Sequence, residues 1–437
     1  MTKVGIRFED KYKMEKRVAL VPKDVKRLIK NEHIEFHVEV SPKRVFTENE
    51  YKEAGAKIVD KLTEPTIIFG VKEMPIDFFE DKKTYLFFSH TIKGQSYNMP
   101  LLKRMIEKKI NLIEYEKVTD DQGHRLIFFG RYAGLAGMIN SFWSLGQRCL
   151  ALGVETPFAQ LKQSHLYSSL EAAKQALSKV ATEIAKNGIP ERIAPLTIGI
   201  TGYGNVSKGA QEIISLFNHE EISPEELLKL RAEGNYDNKT IYQIIFKEDH
   251  ISRAKEPQAK FDLQHYYNHP EAYENNMEQY IPELTILMNC MYWGPQYPRI
   301  ITKDFLAKLY KNPNNKLCVI GDVTCDPDGS IEATHTGTFI EDPVFVYNPD
   351  TRKPTMGFDG HGVLIMAVDI LPSELPREAS EGFSTALSPF VPNLVKTDFD
   401  LPFEELDLPA PLKRALILHH GEFTPDFKYM EEYIKAL

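Results

Sequence analysis

The sequence predicts an α/β protein of two domains built on mostly parallel sheets, and three observations predict it. Short β-branched segments alternate with helical patterns from the first residues onward, which is how strands joined by crossover helices read. The stretch LTIGITGYGNVSKGAQEIISLF, Leu196 to Phe217, runs from a strand through a glycine turn into a helix. At 437 residues the chain exceeds what one hydrophobic core usually organises. A hydrophobic content of 42% supplies enough apolar surface for two cores. The formal charge of −9 argues against nucleic acid or an anionic membrane as the main partner. Cys149, Cys290, Cys318 and Cys325 show neither zinc-ligand spacing nor a disulfide framework, so free thiols in a reducing compartment are expected. The start MTKVGIRFEDKY lacks an apolar signal core and no run reaches the length of a membrane span. The expected location is therefore the cytoplasm.

In chain order, Lys3 to Arg7 reads as the first strand. RVALVPKDVKRLIKN follows as a helix that begins near Pro22 and packs Val25, Leu28 and Ile29 on the sheet. FHVEV, KIVD, TIIFGVK, TYLFFSH and INLIEYE read as further short strands, with the helix MPLLKRMIEKK before the last. Functional residues of a parallel sheet gather at the carboxyl ends of its strands. Two ends stand out: TIIFGVKE closes on Lys72 and Glu73, and YLFFSHTIKGQ on His90, with Lys93 and Gln95 beyond. Each alone reads as a solvated loop or a structural histidine. Together they offer two acid–base groups that their environment can tune. The small residues Ala133, Gly134, Ala136 and Gly137 permit a close helix contact in the crossover to the second domain, and a helix from Leu170 to Lys186 leads on to the glycine turn.

Within that turn Gly202 allows the bend, Gly204 lets a pyrophosphate approach the backbone, and the helix start offers free N–H groups. Ser207 stands where the third glycine of a dinucleotide-binding pattern would be, with Gly209 two residues later. A phosphate-loop reading fails, since GNVSKGA has no Lys-Ser or Lys-Thr after the second glycine. A second strand is expected near Glu221 to Ser223, then a polar, largely helical excursion over 224–280 before the strands LTILMNCMYW and KLCVIGDVTCD. NAD-binding folds commonly place Asp or Glu about 20 residues after the glycines to bind the ribose 2′-hydroxyl. Counting from Gly202 reaches Ile222, with Ser223 at the expected strand end. A hydroxyl there suits a 2′-phosphate that a carboxylate would repel, so NADPH is expected over NADH. Asp322 and Asp326 fall at a sheet mouth. CDPDGSIE lacks the length and ligand order of a calcium loop, no metal is expected, and adjacent His419 and His420 read as structural.

Nine ordered segments carry a resemblance: GIRFEDKYKMEKRVALVPKDVK, GVKEMP, FFSHTIKGQ, LIEYEKVTDDQGHR, FFGRYAGLAGM, TGYGNVSKGAQ, NCMYWGPQYPR, GDVTCDPDGSIE and VDILPSELPREASEGFS. Across nearly the whole chain they resemble the lysine 2-oxoglutarate reductase half of the bifunctional aminoadipic semialdehyde synthases. More loosely they resemble lysine-forming saccharopine dehydrogenases and the alanine dehydrogenase/transhydrogenase-like superfamily. The resemblance implies two Rossmann-like domains with parallel sheets separated by a cleft. Residues 1–135 plus 372–437 would form the substrate domain, and 136–371 the dinucleotide-binding domain with its excursion at 224–280. It also implies a reaction of lysine degradation: the ε-amine of L-lysine adds to the keto carbon of 2-oxoglutarate, water leaves, and NADPH delivers hydride to give saccharopine.

By the same resemblance Lys72 and His90 match an acid–base pair, and Glu73 and Glu116 match carboxylates that tune it. Arg17, Gln95 and Arg125, with Arg131 at a place that varies among relatives, match positions that hold substrate carboxylates or keto oxygens, for which a guanidinium fork is suited. Gly202, Gly204, Asn205, Val206 and Ser207 would hold the pyrophosphate. Cys290, Met291 and Tyr292 would lie along the nicotinamide, with Asp322 and Asp326 near it. The bifunctional enzymes continue into a glutamate-forming dehydrogenase, whereas this chain ends at Leu437. Release of saccharopine to a separate glutamate-forming enzyme is therefore expected, and a homo-oligomer is compatible with the sequence. Three alternatives stand beside this reading: a lysine-forming NAD-dependent saccharopine dehydrogenase, another alanine-dehydrogenase-like amino-acid dehydrogenase, and a silent nucleotide-binding regulator.

Overall fold

A computed structural model describes residues 3–435, and the chain divides into two compact units, Met1–Phe129 with Pro376–Leu437, and Gly130–Leu375. The first six strands are β1 (Lys3–Ile6), β2 (Glu35–Glu39), β3 (Lys57–Val59), β4 (Ile67–Phe69), β5 (Thr84–Phe87) and β6 (Asn111–Glu114). They pair in parallel in the order β6-β5-β4-β1-β2-β3. The chain winds outward from β1 to β3, returns to β4 on the other side of β1, and winds outward again. Strand order therefore reverses between β1 and β4, the position where open α/β sheets bind ligands beyond their carboxyl ends. β4, β5 and β6 are buried along their whole length, as expected of parallel strands covered on both faces. Helix Pro22–Glu32 begins with Pro at its first turn, where no N–H is lost, and turns Val25 and Leu28 inward.

The second unit contains β7 (Leu196–Thr201), β8 (His219–Glu221), β9 (Ile241–Phe246), the hairpin β10 (Ser252–Ala254) and β11 (Tyr273–Asn275), then β12 (Ile286–Asn289), β13 (Val319–Asp322), β14 (Val344–Asn348), β15 (Lys353–Met356) and β16 (Val363–Met366). Its sheet runs β15-β14-β16-β13-β12-β7-β9-β8. β7, fully buried, sits between β9 and β12 and parallel to both, so the order reverses beside the glycine turn. The antiparallel β14 and β15 close one edge. After this unit the chain returns to the first, where β17 (Leu416–His419) pairs antiparallel with β6 and β18 (Glu422–Phe423) extends the edge. Each unit is thus an α/β, Rossmann-like fold.

The 224–280 stretch is not a largely helical excursion. It contains β9, the neighbour of β7 in the sheet, and the hairpin β10–β11. IYQIIF is a short β-branched run that the surrounding polar residues obscure, and all but one of its residues are buried. The strand expected at Glu221 to Ser223 is instead β8, three exposed residues at the sheet edge that end at Glu221.

Two helices of this unit approach closely. A Cβ at Gly134, in helix Gly130–Ala151, would lie 1.9 Å from the Val206 carbonyl oxygen, and one at Gly209, in helix Asn205–Ile214, 2.1 Å from that of Arg131. Only glycine permits this contact, and through it the long helix seats the one that starts at the glycine turn. Among the described residues no helix is long and apolar enough to cross a membrane.

Candidate active site

Carboxylates organise the carboxyl edge of the first sheet. Glu9, just beyond β1, accepts from the backbone N–H groups of Val71 (2.7 Å) and Lys72 (2.8 Å), just beyond β4. It ties the two exits together where strand order reverses. Glu114, the last residue of β6, does the same for β5: its Oε2 accepts from Ser89 N (2.7 Å) and from the Ser89 hydroxyl, and its Oε1 from Glu116 N (3.2 Å). Both are buried, and burial pushes each carboxyl up to about 7. Ser89 precedes His90, which holds a left-handed backbone at φ 50°, a conformation that costs on the order of 1–3 kcal/mol for a residue with a Cβ. The Glu114 clamp and the Asn98 amide, which donates to the His90 carbonyl (3.2 Å), hold it there.

The side chains that these clamps present converge on Glu73. Its Oε1 meets His90 Nδ1 at 2.7 Å and Lys11 Nζ at 2.5 Å. Its Oε2 is buried with no hydrogen-bond partner among the described residues. Burial pushes this carboxyl up, but His90 and Lys11 outweigh it and hold it at about 2, so Glu73 is a fixed negative charge at any physiological pH. Lys72, half-buried, places its amine 5.8 Å from the Tyr12 ring centre. Lys72, Glu73 and His90 therefore come together at the reversal point of one sheet. Glu9, Lys11 and Glu114 complete the set, and sequence reasoning had not singled them out. Glu9 and Glu114 carried the signal that marked Lys72, a charge directly after an apolar strand.

The residues expected to grip substrate are placed differently from one another. Arg17 is buried and already engaged: Nε (2.8 Å) and Nη2 (2.6 Å) fork onto Glu15, and the guanidinium lies 4.2 Å above the Phe129 ring. Burial pushes Glu15 up, yet Arg17 more than offsets this and its carboxyl sits low. Arg125 is 52% exposed and reaches Glu116 only at 3.4 Å. Gln95 keeps a buried side-chain oxygen with no partner among the described residues. Arg131 belongs to the other unit, where Nε and Nη2 fork onto Glu212 (3.0 and 2.6 Å) beside Lys174. It ties helices Gly130–Ala151, Leu170–Asn187 and Asn205–Ile214 together.

In the second unit Gly202 adopts φ +81°, and a Cβ there would stand 3.1 Å from Met291 Cβ, so the exits of β7 and β12 touch. Gly204 caps helix Asn205–Ile214 without a side chain, and a Cβ on it would meet nothing within 4 Å. The N–H groups of Asn205 and Val206 thus lie in an uncapped first turn with open space before it, which fits a pyrophosphate. Ser207 is buried and its hydroxyl accepts from Gln211 (2.9 Å), so its side chain serves helix packing. Asp322 is buried beneath the strand ends, accepting from Asn289 (2.8 Å), Thr324 (2.7 Å) and Thr334 (2.6 Å), and its carboxyl is raised by burial against these bonds. Cys290 is buried, with its N–H on Thr201 (3.1 Å) and its thiol raised by burial. Tyr292 is 72% exposed, and Asp326 is exposed in a turn closed by Gly329 N–H (3.0 Å).

Ser223 is not beside the glycine turn. It caps helix Pro224–Leu230, accepting from Glu226 N (3.1 Å) while the Glu226 carboxylate takes its own N–H (2.7 Å). The pattern Ser-Pro-Glu-Glu is a reciprocal cap, which sequence reasoning passed over. Because β9 is the neighbour of β7, the residues at its exit, Lys247-Glu248-Asp249, stand beside the exit of β7. Glu248 Oε1 accepts from Tyr267 (2.9 Å) and lies 3.5 Å from the hydroxyl of Tyr203, inside the glycine turn.

Comparison with known proteins agrees with this architecture. Residues 5–136 match the family model described as alanine dehydrogenase/PNT, N-terminal domain. The alpha-aminoadipic semialdehyde synthase of Arabidopsis thaliana is 39% identical over 99% of this chain and 42% of its own length. The mitochondrial alpha-aminoadipic semialdehyde synthase of Mus musculus is 34% identical over 98% and 47%. This chain thus spans less than half of those relatives. Among solved structures an L-alanine dehydrogenase superposes with a TM-score of 0.63 at 17% identity, covering 99% of this chain and 100% of that one. The chain is thus similar, over nearly its whole length, to less than half of the alpha-aminoadipic semialdehyde synthases, its residues 5–136 match the alanine dehydrogenase/PNT N-terminal domain, and it shares the fold of L-alanine dehydrogenase.

Proposed function

We propose that this chain catalyses the reductive condensation of L-lysine with 2-oxoglutarate to saccharopine, with a nicotinamide dinucleotide as hydride donor. The observation that carries the reading is the Glu73 cluster: a permanently charged carboxylate that holds His90 Nδ1 and Lys11 on one oxygen, with Lys72 on the same loop. Similarity to the aminoadipic semialdehyde synthases supports the choice of substrates. Glu73 orients the imidazole through Nδ1, so His90 exchanges protons at Nε2, and the Lys72 amine is the second carrier. One removes a proton from the incoming lysine ammonium. The other serves the carbinolamine oxygen as water leaves. The orphaned oxygens of Glu73 and Gln95 are acceptors suited to an ammonium group, since a buried acceptor without a donor is costly. Arg125, only loosely held by Glu116, is the guanidinium that receives a substrate carboxylate. The nucleotide, when bound, supplies the hydride, and the uncapped turn at Gly204 to Val206 holds its pyrophosphate.

For the donor, Glu248 moves the reading from NADPH to NADH. A carboxylate beside the glycine turn accepts from a ribose 2′-hydroxyl and repels a 2′-phosphate. The test is oxidation of NADH and of NADPH with lysine and 2-oxoglutarate supplied together and separately. Turnover is expected only with both substrates, with the higher kcat/KM for NADH, and Glu248→Ser is expected to narrow the gap between the nucleotides. Turnover with pyruvate and ammonia in their place would reject the substrate assignment, and equal use of both nucleotides by both proteins would reject the role of Glu248.

A further inference from the structure

A second site lies at the other edge of the Gly130–Leu375 sheet. Helix Gly130–Ala151 carries Arg148 and Cys149 near its carboxyl end, Arg192 precedes β7, Lys316 and Cys318 precede β13, and His361 precedes β16. These residues line a cavity of about 250 Å³ at the amino ends of the parallel strands, whereas the glycine turn lies at their carboxyl ends.

The charge of this cavity is unbalanced. Arg148 is 3% exposed and donates only to backbone carbonyls, those of Phe358, Gly360 (2.8 Å) and Gly362 (2.9 Å). Among the described residues no carboxylate forms an ion pair with Arg148, Arg192 or Lys316. Asp350 lies 3.6 Å from His361, and Glu283 pairs with Arg231 at 3.0 Å. The helix end contributes roughly half a negative charge, which leaves three cations largely uncompensated. Burial draws down the Arg148 guanidinium although Asp359 acts against it, and burial followed by Arg231 draws down the Lys316 amine although Glu283 acts against it, the direction expected of buried cations that no carboxylate pairs. The wall thiols supply no anion, since burial pushes Cys318 up to about 11 and Cys149 up to about 12. A buried cation without a counter-ion costs several kcal/mol, and a ligand that neutralises it offsets that cost.

We propose that this cavity binds a small dianion, a phosphate or a short dicarboxylate, on Arg148, Arg192 and Lys316. A site of this volume is too small for a dinucleotide, so its ligand is distinct from the hydride donor. Arg148, already held by three carbonyls, forms the rigid floor, while exposed Arg192 and half-buried Lys316 close over the ligand.

Calorimetric titration of the full chain with inorganic phosphate, and separately with succinate, at constant ionic strength in chloride tests this. Arg192→Gln/Lys316→Gln removes the two accessible cations without opening the core. The expected result is binding of at least one dianion, weakened on the order of tenfold per cation removed, together with slower alkylation of Cys318 in its presence, mapped by mass spectrometry. The cysteine readout separates this cavity from the glycine turn, which also attracts phosphate. Binding of phosphate alone or succinate alone assigns the ligand class. Failure of both to bind, or binding that is equally tight in the double variant and leaves Cys318 alkylation unchanged, overturns the proposal.

Discussion

Glu73 engages Lys11 and His90 with a single oxygen, and its neighbours therefore differ in what their loss would do. Lys72→Ala or His90→Ala removes a proton carrier while leaving the glycine turn untouched. Turnover should fall by about a hundred-fold to ten-thousand-fold, with nucleotide affinity from fluorescence titration unchanged and one limb of the pH–rate profile flattened. Near-wild-type turnover in both variants would reject the acid–base assignment. Arg17 behaves otherwise because its fork is filled by Glu15. Arg17→Ala would strand a buried carboxylate, so urea unfolding should show a loss of roughly 3–5 kcal/mol; a raised KM with unchanged stability would instead restore a direct grip on substrate. Lys72, Glu73 and His90 were legible in the sequence because a charge directly after an apolar strand must lie at the sheet mouth. The partners of Arg17 and Arg131 were not, since an ion pair depends on which carboxylate the fold brings within reach.

At the scale of elements, the contact between helices Gly130–Ala151 and Asn205–Ile214 is set by two glycines. Gly209→Ala would place a methyl 2.1 Å from the Arg131 carbonyl oxygen, forcing the helices apart. The expected cost is about 1–3 kcal/mol, together with weaker nucleotide binding, because the displaced helix starts at the glycine turn proposed to hold the pyrophosphate. Retention of both stability and affinity in Gly209→Ala would show that the contact relaxes freely. The small-residue cluster at Ala133 to Gly137 announced this contact from sequence. β9 stayed hidden because six residues, five of them apolar, between polar loops have no helical or alternating period long enough to register, and their identity as a central strand rests on pairing with β7 and β8. With β9 hidden, Glu248 at its exit was passed over as well.

For the molecule as a whole, the clamps at Glu9 and Glu114 set an unusual pH dependence. Both carboxyls sit at about 7 in the folded chain, against about 4.3 in an unfolded one. The folded state therefore holds their protons more tightly, and the stability this contributes, roughly 4 kcal/mol per group, is complete below about pH 4 and is lost as pH rises through 7. Glu73, held at about 2, works oppositely and matters only as pH falls toward that value. Urea midpoints measured from pH 4.5 to 8 should accordingly decline with pH, and Glu9→Gln with Glu114→Gln should make the decline shallower. A flat profile, or one unchanged by the two substitutions, would contradict the buried, raised carboxyls. By itself the sequence determined the alternation of strands and helices, the dinucleotide turn, and the charged strand ends that form the candidate site, because these follow from local periodicity and from residues adjacent in the chain. Tertiary structure alone decided which strand neighbours β7, which carboxylate occupies Arg17, and which strand exits Glu9 and Glu114 clamp, because each depends on sheet order between segments distant in sequence, and a side chain's partner is chosen by that order.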